Sequence, residues 1–362
     1  MLLINSRFVD NSDKYSLLLF YLKHLGSVDL KMAYGESISK HISFPEKISS
    51  HLRGLINLAR IFQQYRRTYV NYWMILSNIS KKRYPIKAVL RNGSPIVLNS
   101  FFHSYTIAQL YGQKGVEYDT ISDTVKVLDI SHVTNSKADL RLYGALSNGE
   151  VANIFVDNVY NVLPVEGKIV IDIGANIADS AIYFVHRAAK RVIGVEPMPK
   201  NIEIAKKNIE INNLSDKISI VLASCSTNAG YVNIDSGLDT GIGSQIQDKN
   251  IEQGTTVPQV TLDDLLKEHK TQREMTVLKM DCEGCEYGVI LSASDDVLKC
   301  FSDILIEYHY GPNDLIKRLE NCGFEVSLLN LSGKPGGATT VPDPERIRSW
   351  YYMGYVYAKQ KK

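Results

Sequence analysis

The sequence predicts an α/β fold, in which a doubly wound, mostly parallel sheet of seven strands follows a helical N-terminal extension. Short β-type runs alternate with helical patterns from residue 168 onward. This alternation is typical of crossover units, which place parallel strands in one sheet and helices on both of its faces. The chain has 362 residues, of which 44% are hydrophobic and 22% are charged, so it can bury a sizeable core.

Changes of pattern along the chain predict three regions. Residues 1–83 form a basic helical region, residues 84–165 a small α/β region with a hairpin at Asn92-Gly93, and residues 166–362 the doubly wound domain. The strands and helices predicted in the third region are Ile169–Ile173, Asp179–Ala189, Arg191–Glu196, Pro199–Ile211, Ile218–Ala223, Thr276–Asp281, Ile304–His309, Asn313–Cys322, Phe324–Leu329 and Met353–Ala358. In the second region, Ile86–Leu90, Pro95–Asn99 and Val125–Ile130 are expected strands.

Charge is distributed unevenly between the two ends of the chain. The net charge is +2, yet residues 1–91 contain 15 Lys and Arg against 5 Asp and Glu, and residues 92–362 carry −8. No acid lies between Glu46 and Glu117, an interval that holds eleven basic residues. This asymmetry indicates an anionic partner for the N-terminal part, such as lipid head groups, a phosphate-linked substrate or nucleic acid. A basic helix that docks on an acidic domain is the alternative.

A helix is predicted over residues 47–83. Its apolar stripe contains Ile48, Leu52, Leu55, Ala59, Phe62, Tyr69, Trp73 and Leu76, and a second row contains Arg53, Arg60 and Arg67. Such a helix can lie on an anionic membrane surface, although packing of the stripe against the next domain is the commoner use.

We expect a cytoplasmic protein, or one that binds peripherally to a membrane, for three reasons. No apolar run approaches the 18–20 residues of a membrane span, and no signal peptide opens the chain. The five cysteines are expected to be reduced thiols. Cys282 and Cys285 form a C-x-x-C, which alone could indicate metal or redox chemistry, but no second pair has zinc spacing, so the two are interpreted as small residues that fill space. The sequence does not determine the oligomeric state.

The ends of the first two predicted strands of the third region indicate the ligand. Ile169–Ile173 is followed by Gly174, and the next strand ends at Glu196-Pro197. A glycine there lets the backbone approach a ligand, and an acid suits ribose hydroxyls. NAD is excluded because Asn176 and Asp179 stand where a pyrophosphate-binding turn needs glycines. A nucleoside without phosphates that carries ammonium and sulfonium groups fits this acidic rim, and S-adenosylmethionine is that ligand.

The fourth and fifth of these strands end in further acids. Asp281, Glu283 and Glu286 lie within six residues, and Glu307 and His309 end the fifth strand. Repulsion between carboxylates this close destabilises the folded protein, which indicates that they are retained for a function. A histidine at a strand end beside a nucleoside site is a candidate functional group.

Taken in order, these segments resemble the FkbM family of methyltransferases. The resemblance is carried by Asp172-Ile-Gly-Ala-Asn176, Glu196-Pro197, Asp281-Cys-Glu-Gly-Cys-Glu286 and Ile306-Glu-Tyr-His309, and it is strongest over residues 165–330. The D-x-E-G-x-E segment is the most specific of these. The family implies a Rossmann-like sheet of the class I methyltransferase type. It also implies S-adenosylmethionine-dependent O-methylation of sugar or polyketide hydroxyls. The chain has Ala178 at a position where members of the family commonly have a second glycine.

The resemblance implies two groups of site residues. The cofactor-binding residues are Asp172, Gly174, Ala175, Asn176, Glu196, Pro197, Ala223 and Ser224. The residues expected to face the acceptor are Asp281, Glu283, Glu307 and His309, and the glycine-rich loop 237–244 is expected to bind it. His309, with an ordinary pKa near 6.5, is the first choice for the general base and Asp281 the second.

A hydroxyl of a sugar or glycan is the predicted acceptor. RNA methylation and a non-catalytic nucleoside-binding module are the alternatives. RNA methylation is encouraged by the basic N-terminal region, but Asp281-Cys-Glu-Gly stands where amino-directed nucleic-acid enzymes carry [DN]-P-P-[YFW]. The many carboxylates at the strand ends argue against a non-catalytic module.

Overall fold

The computed structural model describes residues 44–81, 83–127, 130, 133, 139–235, 254–270, 275–342 and 350–361. The first elements are the helices α1 (Phe44–Thr68) and α2 (Tyr72–Ser80). The prediction of one continuous helix over residues 47–83 is therefore wrong. The helix stops because Tyr69 pairs with Leu90 and the Val70 amide donates to the Val89 carbonyl, which draws this part of the backbone to the next strand.

Residues 84–165 contain short strands and helices. These elements are β1 (Ile86–Val89), β2 (Pro95–Leu98), α3 (Phe101–Leu110), β3 (Val116–Asp119), β4 (Thr124–Val127), β5 (Leu140–Tyr143), α4 (Ala145–Asn148) and α5 (Val151–Phe155). β1 and β2 form the hairpin expected at Asn92-Gly93, and β3, β4 and β5 form an antiparallel sheet. A 3₁₀ turn over Val159–Val162 leads to the third region.

The third region alternates strands and helices. Its elements are β6 (Ile169–Ile173), α6 (Asp179–His186), β7 (Arg191–Glu196), α7 (Pro199–Ile211), β8 (Ile218–Leu222), β9 (Ser224–Cys225), β10 (Gly230–Asp235), β11 (Gly254–Val260), α8 (Leu262–Glu268), β12 (Thr276–Met280), α9 (Cys285–Ser292), α10 (Asp295–Leu298), β13 (Phe301–Tyr308), α11 (Asn313–Asn321), β14 (Phe324–Leu329), β15 (Thr339–Pro342) and β16 (Trp350–Gln360). The short sheet β9–β11 and strand β15 were not predicted.

The central sheet confirms the predicted fold class. Seven strands follow one another in the order β14–β16–β13–β12–β6–β7–β8, and β15 pairs with β16 outside this path. β13, β12, β6, β7 and β8 are parallel, whereas β16 runs antiparallel to both of its neighbours on the path. Because the parallel strands end at one edge of the sheet, the residues that follow them are brought together.

The sheet separates two apolar cores. Alternating side chains place Val170 on one face of β6 and Ile171 on the other. The core on the Val170 face continues through Tyr183 and Phe155 to Tyr65 of α1. Packing is therefore continuous across residue 165, where the sequence pattern changes.

Helix α1 packs through a different face from the predicted one. Leu52, in the predicted stripe, is 58% exposed, whereas Ser50 and Gly54 are buried. The Thr340 hydroxyl of β15 donates to Ser50 Oγ, and a Cβ on Gly54 would lie 2.6 Å from the Thr340 carbonyl oxygen. Small residues let the helix approach the strand closely, and an apolar pattern cannot reveal this contact.

Within the described ranges, every helix falls short of the length and apolar character that a bilayer span requires.

Candidate active site

The turn after β6 is closed tightly against β12. The amides of Gly174 and Ala175 both donate to the Val195 carbonyl of β7. Gly174 has φ +78°, and a Cβ at this position would lie 1.7 Å from the carbonyl oxygen of Asp281. Only glycine fits here. Ala178, where the family commonly has glycine, also adopts a left-handed conformation with φ +66°.

A buried ion pair holds this turn. Lys279 Nζ lies 3.0 Å from Asp172 Oδ1 and donates to the Gly174 carbonyl at 3.0 Å. Burial alone would lower the pKa of Lys279, but the carboxylates of Asp172 and Asp281 raise it. The second oxygen of Asp172 accepts from Ser180 Oγ. Asp172 has no exposed surface, so the structure places it behind the turn instead of on the ligand-facing surface that the sequence suggested.

Glu196 lies at the end of β7 beside the turn. Its carboxylate accepts hydrogen bonds from the amides of Asn176 and Met198 and from Asn201 Nδ2. Burial raises the pKa of Glu196 to about 7, although the hydrogen bonds from Met198 and Asn201 lower it. The side-chain oxygens of Asn176 and Asn201 are buried and make no hydrogen bond. Three acceptor groups therefore meet at this strand end.

The remaining predicted cofactor residues lie nearby in the fold. Ala223 lies between β8 and β9, Ser224 is the first residue of β9, and the Ala223 amide donates to the Glu196 carbonyl. Pro197 directly follows Glu196. The loop 237–244, predicted to bind the acceptor, lies outside the described residues.

The four predicted acceptor-facing residues converge at the ends of β12 and β13. His309 Nε2 lies 3.2 Å from Glu283 Oε2 and 3.9 Å from Asp281 Oδ1. Glu307 and His309 are two residues apart along β13 and its extension, which places both on one face. Because Gly174 touches the Asp281 backbone, this cluster adjoins the turn after β6.

Glu286 fixes the histidine, a contact that the sequence did not reveal. Its fully buried carboxylate lies 2.9 Å from His309 Nδ1 and also accepts from the Gly284 amide. Burial alone would lower the pKa of His309, but Glu283 and Glu286 raise it well above its ordinary value. The expectation of an ordinary pKa near 6.5 is therefore wrong, because carboxylates surround the ring.

Cys282 and Cys285 form a disulfide, so the prediction of reduced thiols is wrong for this pair. Glu283 (φ +58°) and Gly284 (φ +117°) are both left-handed and fold the chain back, which brings the two Cα atoms to 5.5 Å. The disulfide links the turn that contains Glu283 to Cys285, the first residue of α9. Cys225, Cys300 and Cys322 are free thiols.

Comparison with known proteins identifies the type of domain. Residues 172–326 match the family described as the methyltransferase FkbM domain. No curated protein matches the chain. Among solved structures, the chain is similar to a putative transferase from Pyrococcus horikoshii, with 13% identity, a TM-score of 0.37 and coverage of 72% of this chain and 84% of that one. It is also similar to M. capricolum TrmK in complex with S-adenosylhomocysteine, with 14% identity, a TM-score of 0.33 and coverage of 57% and 69%.

The match over residues 172–326 confirms that this part of the chain is the predicted FkbM methyltransferase domain, an enzyme domain that uses S-adenosylmethionine. The donor side of the site fits this cofactor. A ribose diol donates two hydrogen bonds, and Glu196, Asn176 and Asn201 offer acceptor oxygens at one strand end. The glycine turn brings the backbone close to the same place.

Replacement of Gly174 by alanine is expected to weaken binding of S-adenosylhomocysteine at least a hundredfold, because the new Cβ would collide with the Asp281 carbonyl. Gly112→Ala is the matched control: Gly112 has φ +80°, but no atom lies within 4 Å of the added Cβ. The control incurs only the left-handed backbone strain of about 1–2 kcal/mol. Isothermal titration with thermal unfolding measures both effects. Wild-type affinity in Gly174→Ala would contradict the role of this turn.

Affinity for S-adenosylhomocysteine is expected to fall as the pH drops below about 7, by up to about tenfold per pH unit. Above its pKa the Glu196 carboxylate accepts from the ribose hydroxyls, and below it the protonated group accepts weakly. Titrations between pH 5.5 and 8 measure this, and Glu196→Gln should bind weakly without the pH dependence. Glu203→Gln, an exposed position on α7, should keep the wild-type profile. Equal profiles for Glu196→Gln and wild type would refute the assignment.

Proposed function

We propose that the FkbM methyltransferase domain of this chain transfers the methyl group of S-adenosylmethionine to a hydroxyl of a sugar or glycan. The observation that carries this proposal is the group of Asp281, Glu283, Glu307 and His309 directly beside the donor turn. Carboxylates and an imidazole can accept hydrogen bonds from an uncharged acceptor with many hydroxyls, and one of them can take its proton.

The proton acceptor must touch the acceptor hydroxyl. The His309 side chain is 1% exposed, whereas that of Asp281 is 20% exposed. We therefore assign the base role to Asp281, the second choice from the sequence, and treat His309 as a positioning residue. When bound, S-adenosylmethionine supplies an electrophilic methyl group, which moves to the oxygen as the sulfur–carbon bond breaks. Asp281 takes the proton that leaves the hydroxyl.

RNA is the less favoured acceptor. Its phosphates would meet the carboxylates of Asp281 and Glu283, whose side chains are 20% and 16% exposed. Like charges repel. A neutral sugar hydroxyl does not incur this repulsion.

The purified chain is expected to transfer radioactive methyl groups from S-adenosylmethionine to a glycan or lipid-linked oligosaccharide fraction, and not to total RNA. Asp281→Asn should lower the transfer rate by about 10²–10⁴-fold with S-adenosylhomocysteine affinity nearly unchanged. Asp296→Asn, at an exposed position, is the matched control. Mass spectrometry of the glycans identifies the acceptor. Labelling of RNA alone would overturn the choice of acceptor, and a fully active Asp281→Asn would overturn the base.

We also propose that helices α1 and α2 bind anionic lipid head groups. Leu52 and Ile56 are exposed along one face of α1, and Arg60 and Arg67 continue that face at helical spacing. Trp73 of α2 is also exposed. Apolar and basic side chains on one helical surface suit the boundary between head groups and acyl chains. Arg53 does not take part, because it donates to the Ala338 carbonyl.

The chain is expected to sediment with anionic vesicles at low salt and to be released at 1 M salt, where the screening length is about 3 Å. The double variant Arg60→Gln and Arg67→Gln should sediment less, whereas Lys267→Gln with Lys299→Gln removes two charges elsewhere and should not. Absence of sedimentation at low salt would refute the proposal. Binding to vesicles of neutral phospholipid only when a polyprenyl phosphate is added, and not to vesicles of anionic phospholipid, would assign this face to a phosphate-linked substrate instead.

A further inference from the structure

Three atoms able to bind a metal meet at the ends of β12 and β13. Asp281, Glu307 and His309 each offer one such atom, and these atoms all lie within 4.8 Å of one another. The register between β12 and β13 explains why these three side chains lie close together. Met280 pairs with Ile306, so Asp281 follows beside Glu307, and His309 lies two residues further on the same face.

A carboxylate orients the His309 ring, as is usual for histidines that bind metals. Its Nδ1 lies 2.9 Å from Glu286, whose other oxygen accepts from the Gly284 amide. A carboxylate on one ring nitrogen fixes the orientation of the ring and directs the other nitrogen toward a metal. That other nitrogen, Nε2, is buried and faces the carboxylates of Glu283 at 3.2 Å and Asp281 at 3.9 Å.

The charge around these atoms also favours a cation. Glu307 is buried, and Glu150 is close enough to interact with both Asp281 and Glu307. Glu283 Oε2 adds a further carboxylate oxygen, 3.2 Å from His309 Nε2. Buried carboxylates are costly when they face one another, and a divalent cation among them would relieve this repulsion.

We propose that Asp281, Glu307 and His309 bind a divalent transition-metal ion such as Mn²⁺ or Zn²⁺. One imidazole and two carboxylates suit these ions, whereas Mg²⁺ prefers oxygen ligands alone. Three protein ligands leave coordination positions open. Resting on the proposed function, we assign one of these positions to the acceptor hydroxyl oxygen, with Asp281 presenting its second oxygen to the same group.

The test is calorimetric titration of the full chain with MnCl₂ and with ZnCl₂ after dialysis against a chelator. We expect one ion per chain in the wild type, and at least tenfold weaker binding in His309→Gln and in Glu307→Gln. Binding of S-adenosylhomocysteine shows that each variant is folded, and if one variant fails this check the other decides. His103→Gln is the control, because His103 is also buried but lies outside this cluster.

Failure of the wild type to bind either ion would overturn the metal site, as would wild-type binding by a folded His309→Gln or Glu307→Gln. The titration needs no acceptor, so it is independent of the proposed reaction. A chain that binds Mn²⁺ through these residues and methylates no glycan supports the metal site and refutes the acceptor. A chain that methylates glycans and binds neither ion supports the acceptor and refutes the metal site.

Discussion

The approach of Gly174 to the backbone of Asp281 is the contact on which the rest of the site depends. β6 and β12 are adjacent and parallel, and the Asp281 amide donates to the Ile173 carbonyl at the point where both strands end. No side chain can stand between the two turns. One turn carries the backbone that we expect to bind the donor, and the other begins the acidic cluster. In the proposed reaction, their contact sets the distance across which the methyl group moves.

The buried pair of Lys279 and Asp172 supports that contact from behind. Its lysine also holds the Gly174 carbonyl, so one cation links β12, β6 and the turn. Removal of one partner from a buried pair costs about 3–5 kcal/mol, because the other charge is left without compensation. The two neighbouring groups differ in kind. Glu196 accepts hydrogen bonds from the backbone at the end of β7 and is the proposed ribose ligand, whereas the carboxylates around His309 form the proposed cation and acceptor site.

The N-terminal helix and the catalytic sheet form one packed unit. Tyr65 hydrogen-bonds to Ser104 of α3, and the core around it continues to β6. Helix α1 meets β15 through Ser50 and Gly54, while its Leu52 and Ile56 side chains remain exposed. The same helix thus supports the sheet with one face and exposes a second face that carries Leu52, Ile56 and Arg60.

The sequence by itself determined the alternation of strands and helices, the parallel sheet and the strand-end residues Gly174, Glu196, Asp281 and His309, because these follow from local periodicity and from the edge at which parallel strands end. It could not reveal groups that act from a distance along the chain. Lys279 and Glu286 reach the site only through the packing of adjacent strands and the start of α9. Burial is likewise a tertiary property. The enclosure of Asp172, the altered pKa of His309 and the pairing of Cys282 with Cys285 depend on which groups surround them in space, and no spacing in the sequence encodes those surroundings.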